Sequence, residues 1–514
     1  MSKWTVMLYM AGDNSLSDEC IWALKEICRV GLNDDVNVVA QYDSMAASIM
    51  RYDLREIIEQ EQVYKVEDNE AGAETRTGGS RLIKKDADRF LHRHGEKLHR
   101  QVGHASRAAT EERATGGDAE EGLEEGMAFA GTLRDFVQWG VGKYPDGYHM
   151  LVLCGHGSGA EGDVLIKDEN PVRFLSIRRL RWALQEAEKK TKHKIDILGM
   201  DACAMSTVEV AYELRNVAGF LVAAEGFESN TGWPYQRIIE TLNSSQGIKP
   251  AQLAAEIVRQ YTSYYIDYAV AGVAVDLAAS DLSKIEYLAD LVRKLGGALK
   301  AEMSKTGDKA EDVTVEDALI ENAVLLAHWR AQSYRFEDYT DLWDFCSLLA
   351  KSLKGTQVEQ ICRDVMAAVD ECTLKSCYSG PQFQHSHGLS IHFPWAGTLS
   401  PRYRGLHFST DGLKDREKPH SIFESSKPEE APDDEKSWIR FLNYYLEKTR
   451  RNNRNDANRP IEELQKVGVM IDLDGSVRVT SQYDRITSQY DKGEGGKVAR
   501  IKNPPAGFFI DDCD

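Results

Sequence analysis

Short, uninterrupted runs of apolar residues recur through residues 1–240, and most of them are separated by segments of helical periodicity. The runs, which predict strands, are Trp4–Met10, Val36–Gln41, His149–Cys154, Ile195–Met200 and Phe220–Ala224. Near-continuous apolar strands of this length are typical of a parallel sheet that is covered on both faces. The alternation of strands and helices therefore predicts an α/β fold: a mostly parallel sheet sandwiched by helices.

The intervening helices are predicted where apolar side chains recur every three or four residues. The first helix has Ser17 as its predicted N-cap and ends at Gly31, and two more lie over 133–141 and 180–187. The later part of the chain predicts a helix (Ala251–Tyr265), a strand (Val270–Asp276), a helix (Ile285–Leu299), a helical stretch (314–376), a buried strand (Gly388–Pro394) and a hairpin from Val467 across Asp474-Gly475.

Two segments interrupt this pattern and suggest a division of the chain. Residues 69–121 have few large apolar side chains and are locally basic, which predicts a solvated insertion or a cleavable regulatory loop. Residues 408–436 are polar and acidic, which is typical of a linker. We expect a main α/β domain over 1–290, a helical region and strand completing it over 291–407, and an α+β extension over 408–514.

Composition and charge narrow the classes of function. The 514 residues are 42% hydrophobic and 28% charged, as in ordinary globular proteins, and no run approaches the ~20 apolar residues of a membrane span. The net charge of −19 argues against nucleic-acid binding and favours basic substrates. Nine scattered cysteines without a compact Cys/His cluster predict reduced thiols, no metal site and a cytoplasmic location.

The strongest chemical signal is a histidine and a cysteine that follow two successive predicted strands. His156 lies among glycines just after one strand, and Cys203 follows the next. Ligands of open parallel sheets bind beyond the carboxyl ends of the strands, so both side chains are expected at one site. The histidine would favour the cysteine thiolate and protonate a leaving amine. The backbone N–H groups of Gly157 and Cys203 would form an oxyanion hole.

Each of these residues also has an ordinary structural interpretation. A cysteine after a strand is often a small buried hydrophobe, and a histidine in a glycine-rich turn is often structural. Cys154 is a weaker candidate nucleophile, because alternation along its strand points it away from His156. The combination of strand–His–Gly with strand–Asp–x–Cys is more specific than either signal alone.

The chain resembles the clostripain-like cysteine peptidases of the caspase-like clan over most of residues 1–395. The matching segments include Trp4–Asn14, Thr132–Trp139, Gly155–Gly159, Asp201–Ser206, Gly232–Tyr235, Tyr339–Phe345 and Gly388–Pro394. The resemblance implies a caspase-like fold, a catalytic dyad of His156 and Cys203, and cleavage of proteins or peptides after Arg or Lys. It also implies no cofactor; calcium is left open, although no EF-hand spacing supports it.

The same resemblance places Asp201 at the base of the S1 pocket. A carboxylate two residues from the nucleophile would also pair with a guanidinium or ammonium group on physical grounds. The alternative is a carboxylate that stabilises the following helix. Relatives often carry an acidic residue where this chain has Thr231, and Glu228 is the nearby substitute.

The family resemblance further implies a zymogen that is activated by a cut after a basic residue between His156 and Cys203. Lys167–Pro171 reads as an exposed loop, so Lys167 and Arg173 are the candidate sites, with the basic insertion as an alternative. An upstream protease is then a candidate partner.

Two other functions compete: a serine hydrolase, although no G-x-S-x-G elbow is present, and a catalytically latent scaffold or sensor.

Overall fold

The computed structural model describes residues 3–12, 16–44, 47–59, 130–160, 167–169, 172–304, 315–335, 337–404, 406–410, 438–455, 469–471 and 477–479. The predicted basic insertion and most of the predicted acidic linker lie outside the described residues.

The strands are β1 (Trp4–Gly12), β2 (Val36–Ser44), β3 (Ala47–Asp53), β4 (Tyr148–Cys154), β5 (Lys167–Glu169), β6 (Val172–Phe174), β7 (Ile195–Asp201), β8 (Ala218–Ala223), β9 (Val275–Asp281), β10 (Ser333–Tyr334), β11 (Tyr339–Asp341), β12 (Thr373–Ser379), β13 (Ser390–His392), β14 (Val469–Ile471) and β15 (Val477–Val479).

Eight of these strands form the central sheet, in the order β12-β9-β8-β7-β4-β1-β2-β3. The five strands predicted from the apolar runs are β2, β1, β4, β7 and β8, and they are parallel to one another. At the edges, β3 pairs antiparallel with β2, β9 with β8, and β12 with β9. The predicted fold class is therefore confirmed, with antiparallel strands added at both ends of the parallel core.

Helices cover both faces of this sheet. They are α1 (Ser17–Val30), α2 (Ala130–Lys143), α3 (Ile177–Thr191), α4 (Val208–Leu214), α5 (Tyr235–Ser244), α6 (Pro250–Tyr265), α7 (Ile285–Ser304), α8 (Val315–Arg330), α9 (Leu342–Ser352), α10 (Gln357–Cys372), α11 (Pro401–Arg404), α12 (His407–Thr410) and α13 (Trp438–Asn455). Along β1, Met7 and Tyr9 enter the core beneath α2, α3, α4 and α7, whereas Val6 and Leu8 enter the core beneath α1, α5 and α6. Burial on both faces explains why the strands lack a polar face. Among the described helices, none combines the length and apolar composition needed to span a bilayer.

Several predicted boundaries are wrong, each for a local reason. The strand expected at Val270 begins at Val275, because a 3₁₀ helix over Ile266–Ala271 ends at Gly272 in a left-handed turn, with φ +88°. The helical stretch 314–376 is divided into three helices by two short strands and a turn at Gly355. Helix α1 ends at Gly31 as predicted, but Ser17 is its first residue and Leu16, not Ser17, occupies the N-cap position.

Helix α13 lies in the predicted C-terminal extension, yet it packs into the core of the α/β fold. Phe393 contacts three aromatic rings of this helix, with centroid distances of 5.4 Å to Trp438, 5.6 Å to Phe441 and 5.0 Å to Tyr445. The Tyr445 hydroxyl is also 3.0 Å from Nδ1 of the buried His328. The predicted hairpin near Asp474 is confirmed by the pairing of β14 with β15. The division at residues 290 and 407 stays a prediction.

Candidate active site

A cleft opens at the carboxyl ends of β4 and β7, between the start of α1 and the segment Phe227–Gly232. His156, Asp201, Cys203 and Glu228 all line it. The predicted site residues on the two strand ends and the candidate second acid therefore share one cavity. This is the edge of a parallel sheet at which ligands are expected.

The pairing of β4 with β7 brings the histidine loop onto the cysteine loop. Cys154 is in register with Asp201, and the N–H of Gly155 donates to the Asp201 carbonyl oxygen at 3.2 Å. One residue past His156, a Cβ atom on Gly157 would lie 2.3 Å from the Cys203 carbonyl oxygen. Only glycine allows this backbone approach. His156 is buried and Cys203 is half-buried, so the loops place a shielded imidazole and a partly exposed thiol at one site.

The cysteine loop is held in an unusual backbone conformation. Ala204 has φ +58°, in the left-handed region that residues other than glycine rarely occupy. Its N–H donates to the Gly226 carbonyl oxygen at 2.8 Å, which ties the loop to the segment after β8. From the same segment, the N–H of Glu228 donates to the Cys203 sulfur at 3.3 Å. Such a donor favours negative charge on the sulfur.

Asp201 does not lie at the N-terminus of the helix that follows Cys203. That helix begins at Val208, and the Thr207 side chain caps it by accepting from the Val210 N–H. The Asp201 carboxylate instead accepts from the Tyr235 hydroxyl at 2.7 Å and from the Trp233 N–H at 3.3 Å. This geometry contradicts the helix-stabilising alternative and leaves Asp201 as a wall of the cleft.

Glu228 lies beside Asp201, and the two carboxyl groups share a hydrogen bond. Burial and the negative charge of Asp201 raise the pKa of Glu228 well above its ordinary value. Burial also raises the pKa of Asp201. The Glu228 Oε1 accepts from the Trp233 indole N–H at 3.3 Å, whereas its Oε2 has no donor in the described part of the chain. Glu228 is thus suited to hold a proton that it donates to Asp201.

Cys154 lines the same cleft, but its surroundings suppress thiol chemistry. Its sulfur is buried and lies 2.9 Å from the Tyr235 hydroxyl. Burial, followed by the charge of Asp201, raises the pKa of Cys154 well above its ordinary value. A protonated buried thiol is a poor nucleophile. This agrees with the predicted ranking of Cys154 below Cys203.

Thr231 occupies the position at which relatives often carry an acid. Its hydroxyl is 2.6 Å from the Tyr265 hydroxyl, which donates to the Gly232 carbonyl oxygen at 2.7 Å. Tyr235 therefore holds the Asp201 carboxylate at the wall of the cleft, and Tyr265 holds the Thr231–Gly232 turn. The spacing along the chain gives no sign of either role, because the partners of the two tyrosines lie more than 30 positions away.

The segment predicted to be an exposed loop around Lys167 is instead part of a hairpin. Lys167 pairs with Phe174 and Asp168 pairs with Arg173 in the antiparallel ladder of β5 and β6. The polar composition of Lys167–Pro171 suggested a loop, but a two-stranded ladder satisfies backbone groups without an apolar core. Both candidate cleavage positions therefore lie in strands. The structure does not test whether they are cut.

A model of the clostripain family matches residues 8–399 of the chain, which includes every residue of the cleft described above. The chain belongs to the clostripain family. Its members are cysteine peptidases, so the chain is a clostripain-family cysteine protease that acts on proteins or peptides. A peptidase of this family requires no cofactor, and in the described residues no group of three or more His, Cys, Asp or Glu side chains is placed to hold a metal ion.

Two proteins of known name or structure are similar to this chain at low sequence identity. Clostripain of Hathewaya histolytica is 22% identical over 87% of this chain and 88% of its own length. The solved structure of an inactive zymogen C11 protease from Parabacteroides distasonis is 19% identical, with a TM-score of 0.50 over 80% of this chain and 98% of that one. At this identity, the solved structure supports the caspase-like fold alone.

Proposed function

We propose that this protein is an endopeptidase that cleaves after Arg or Lys with His156 and Cys203 as its catalytic dyad. The observation that carries the proposal is the contact between the two strand-end loops, where the Gly157 backbone packs directly on that of Cys203. The shared cleft supports it further, because the imidazole, the thiol and the two acids all line that cavity.

In the proposed reaction, the Cys203 thiolate attacks the carbonyl carbon of the scissile peptide bond. His156, which has taken the thiol proton, returns it to the leaving amine as the C–N bond breaks. Water then hydrolyses the thioester and releases the enzyme. The N–H groups of Gly157 and Cys203 would stabilise the oxyanion, and one such donor typically contributes about 3 kcal/mol.

In the same proposal, Asp201 and Glu228 form the base of the S1 pocket. A guanidinium or ammonium entering the cleft would find one negative charge shared by two carboxyl groups. Its arrival would favour loss of the Glu228 proton, because a nearby cation lowers the pKa of a carboxyl group. The overall charge of −19 would assist the approach of basic substrates.

The zymogen state and its activation belong to the same proposal. A cut after Lys167 or Arg173 would require the β5–β6 ladder to open first, because a strand that is paired in this ladder cannot also enter the cleft of a peptidase as a single extended chain. A cut in the basic segment 69–121 is the alternative. The cytoplasmic location also stays a prediction. It is consistent with the eight described cysteines, because none of them forms a disulfide bond with another.

The decisive experiment compares the wild-type protein with Cys203→Ala on fluorogenic peptides ending in Arg, Lys or Leu. The wild type is assayed before and after limited trypsin treatment followed by a trypsin inhibitor. We expect cleavage of the Arg and Lys peptides that Cys203→Ala abolishes. Cys377→Ala, which removes another half-buried cysteine, is the matched control and should retain activity. A latent scaffold predicts no cleavage in any treated sample, and a serine hydrolase predicts full activity of Cys203→Ala.

A second variant tests the contact between the loops. Gly157→Ala introduces a Cβ atom 2.3 Å from the Cys203 carbonyl oxygen, so one loop must move. We expect kcat to fall by about 100-fold, because displaced oxyanion donors and a displaced imidazole cost transition-state stabilisation. Gly142→Ala is the control, since a Cβ atom at that position meets no atom within 4 Å. Equal kcat for the two variants would contradict the proposed geometry.

A further inference from the structure

Three aromatic side chains form an exposed surface beside the cleft, which we call the aromatic shelf: Trp22 on α1, Tyr264 on α6 and Tyr268 just after it. Trp22 is 48% exposed and Tyr268 is 45% exposed, while Tyr264 is half-buried and packs against the core. A single exposed ring is ordinary, whereas neighbouring exposed rings beside a cleft are a candidate binding surface.

Contacts between neighbouring elements hold the shelf in place. The Tyr264 ring lies 5.9 Å from the Tyr268 ring, and the guanidinium of Arg237 on α5 lies 5.1 Å from the Tyr264 centroid. Helix α1, which carries Trp22, packs against α5, and the guanidinium of Arg29 lies 5.8 Å from the Trp22 ring centroid. The rings are therefore presented by three packed helices rather than by a loose chain.

The shelf is continuous with the cleft on two sides. On α6, the Tyr265 ring is 5.0 Å from that of Tyr264, and its hydroxyl donates to the Gly232 carbonyl oxygen at the cleft wall. On α1, Glu19 and Ala23 line the cleft. Glu19 lies three positions before Trp22, and Ala23 directly follows it. Residues on α1 and α6 that neighbour the shelf therefore line the cleft or hold its wall.

We propose that the aromatic shelf binds a large apolar side chain of the peptide substrate, about two to four residues from the cleaved basic residue. This inference rests on the proposed function. An extended peptide advances about 3.3 Å per residue, so a side chain at that separation reaches past Tyr265 to the shelf. Apolar and aromatic side chains suit the site, because aromatic faces gain from burial and from edge or offset ring contacts.

The test uses peptides with a fixed Arg at the cleaved position and Phe, Leu, Gly or Glu at each of four positions on either side. We expect the wild type to cleave the Phe peptide about tenfold faster, as kcat/KM, than the Gly peptide at one position. Trp22→Ala and Tyr268→Ala should each reduce that ratio to less than about threefold. Both should leave a short Arg reporter that lacks this position unchanged within about twofold.

The matched control is Tyr287→Ala, which removes a ring that is 60% exposed on the distant helix α7 and should keep the full ratio. Thermal melting of each variant checks that its fold is intact. A ratio unchanged by both shelf variants, or no aromatic preference in the wild type, would overturn the shelf. So would a change from dimer to monomer on size-exclusion chromatography without a change in the ratio, which would assign the rings to a second copy of the chain. Residual cleavage by Cys203→Ala would instead refute the proposed function.

Discussion

Two groups of acids adjoin the segment Ala224–Glu228, a half-buried pair in the cleft and a fully buried group behind it, and they use their oxygens differently. In the cleft, Asp201 and Glu228 accept mainly from side-chain groups, the Tyr235 hydroxyl and the Trp233 indole, at the wall of a cavity. Behind the segment, Glu225, Asp276 and Asp341 are fully buried and accept mainly from backbone N–H groups.

The group behind the segment connects several parts of the chain. Asp276 accepts from the N–H groups of Glu225 and Gly226 at 2.8 and 2.9 Å. Glu225 accepts from the Gly388 N–H at 2.7 Å, and Asp341 accepts from the His387 N–H at 2.6 Å. A carboxylate whose oxygens accept from backbone N–H groups holds that backbone in place. Under the proposed function, the cleft pair would receive the cation of the substrate. The buried group holds the loop that carries Glu228.

The largest expected effect comes from the cleft pair. Asp201→Asn removes its negative charge and keeps an oxygen that can accept from Tyr235. We expect kcat/KM for Arg and Lys peptides to fall by about 100- to 1,000-fold, because truncating one partner of a desolvated charge pair costs about 3–4 kcal/mol. The melting temperature should change little. Equal losses on Arg and Leu peptides would show that Asp201 does not select basic residues.

The next effect comes from the buried group and falls on stability. Asp341→Ala removes the cap of α9, in which the Asp341 side chain accepts from the Asp344 N–H at 2.7 Å, and leaves the His387 N–H without its acceptor. We expect a loss of about 3 kcal/mol in the free energy of unfolding, measured by urea denaturation. Asp370→Ala, an exposed acid on α10, should change it by less than about 0.5 kcal/mol. Similar losses for the two variants would contradict a positioning role.

A smaller effect concerns the pH dependence of stability. Burial raises the pKa of Asp276 from its ordinary value of 3.8 to about 7. The folded state therefore binds more protons than the unfolded state, and stability falls as pH rises between these two values. Asp276→Asn should remove a slope of up to about 1.4 kcal/mol per pH unit in that window, measured by urea denaturation across it. Parallel curves for the variant and the wild type would contradict a raised pKa.

The smallest effect concerns the turn beside the cleft. Thr231→Asp places an acid at the position where relatives often carry one, close to the Asp201 wall but also beside the Tyr265 hydroxyl. We expect KM for Arg peptides to fall by about two- to fivefold without a change in kcat, since the new charge adds ground-state attraction at a partly exposed position. Thr231→Ser is the control. A fall in kcat would indicate a displaced turn instead.

The pattern of apolar and polar residues predicts the strands of the parallel core and the positions at which they end. The apolar runs ending at Cys154 and near Asp201 predicted the two neighbouring strand ends, and these place His156 and Cys203 at one cleft. The contacts that shape the site are non-local, as between Asp201 and Tyr235 or between Glu225 and Gly388. Nothing in the spacing of Glu225, Asp276 and Asp341 distinguishes them from surface acids. Their role depends on burial, which only the folded chain defines.

The position of α13 limits how far the protein can be shortened. The family match ends at residue 399, but Trp438, Phe441 and Tyr445 cover Phe393 on the inside of the fold. A recombinant version trimmed to the matched region would present this aromatic patch to water and would tend to aggregate. A version that extends through Asn455 keeps the patch sealed and is the sensible starting point for crystallisation.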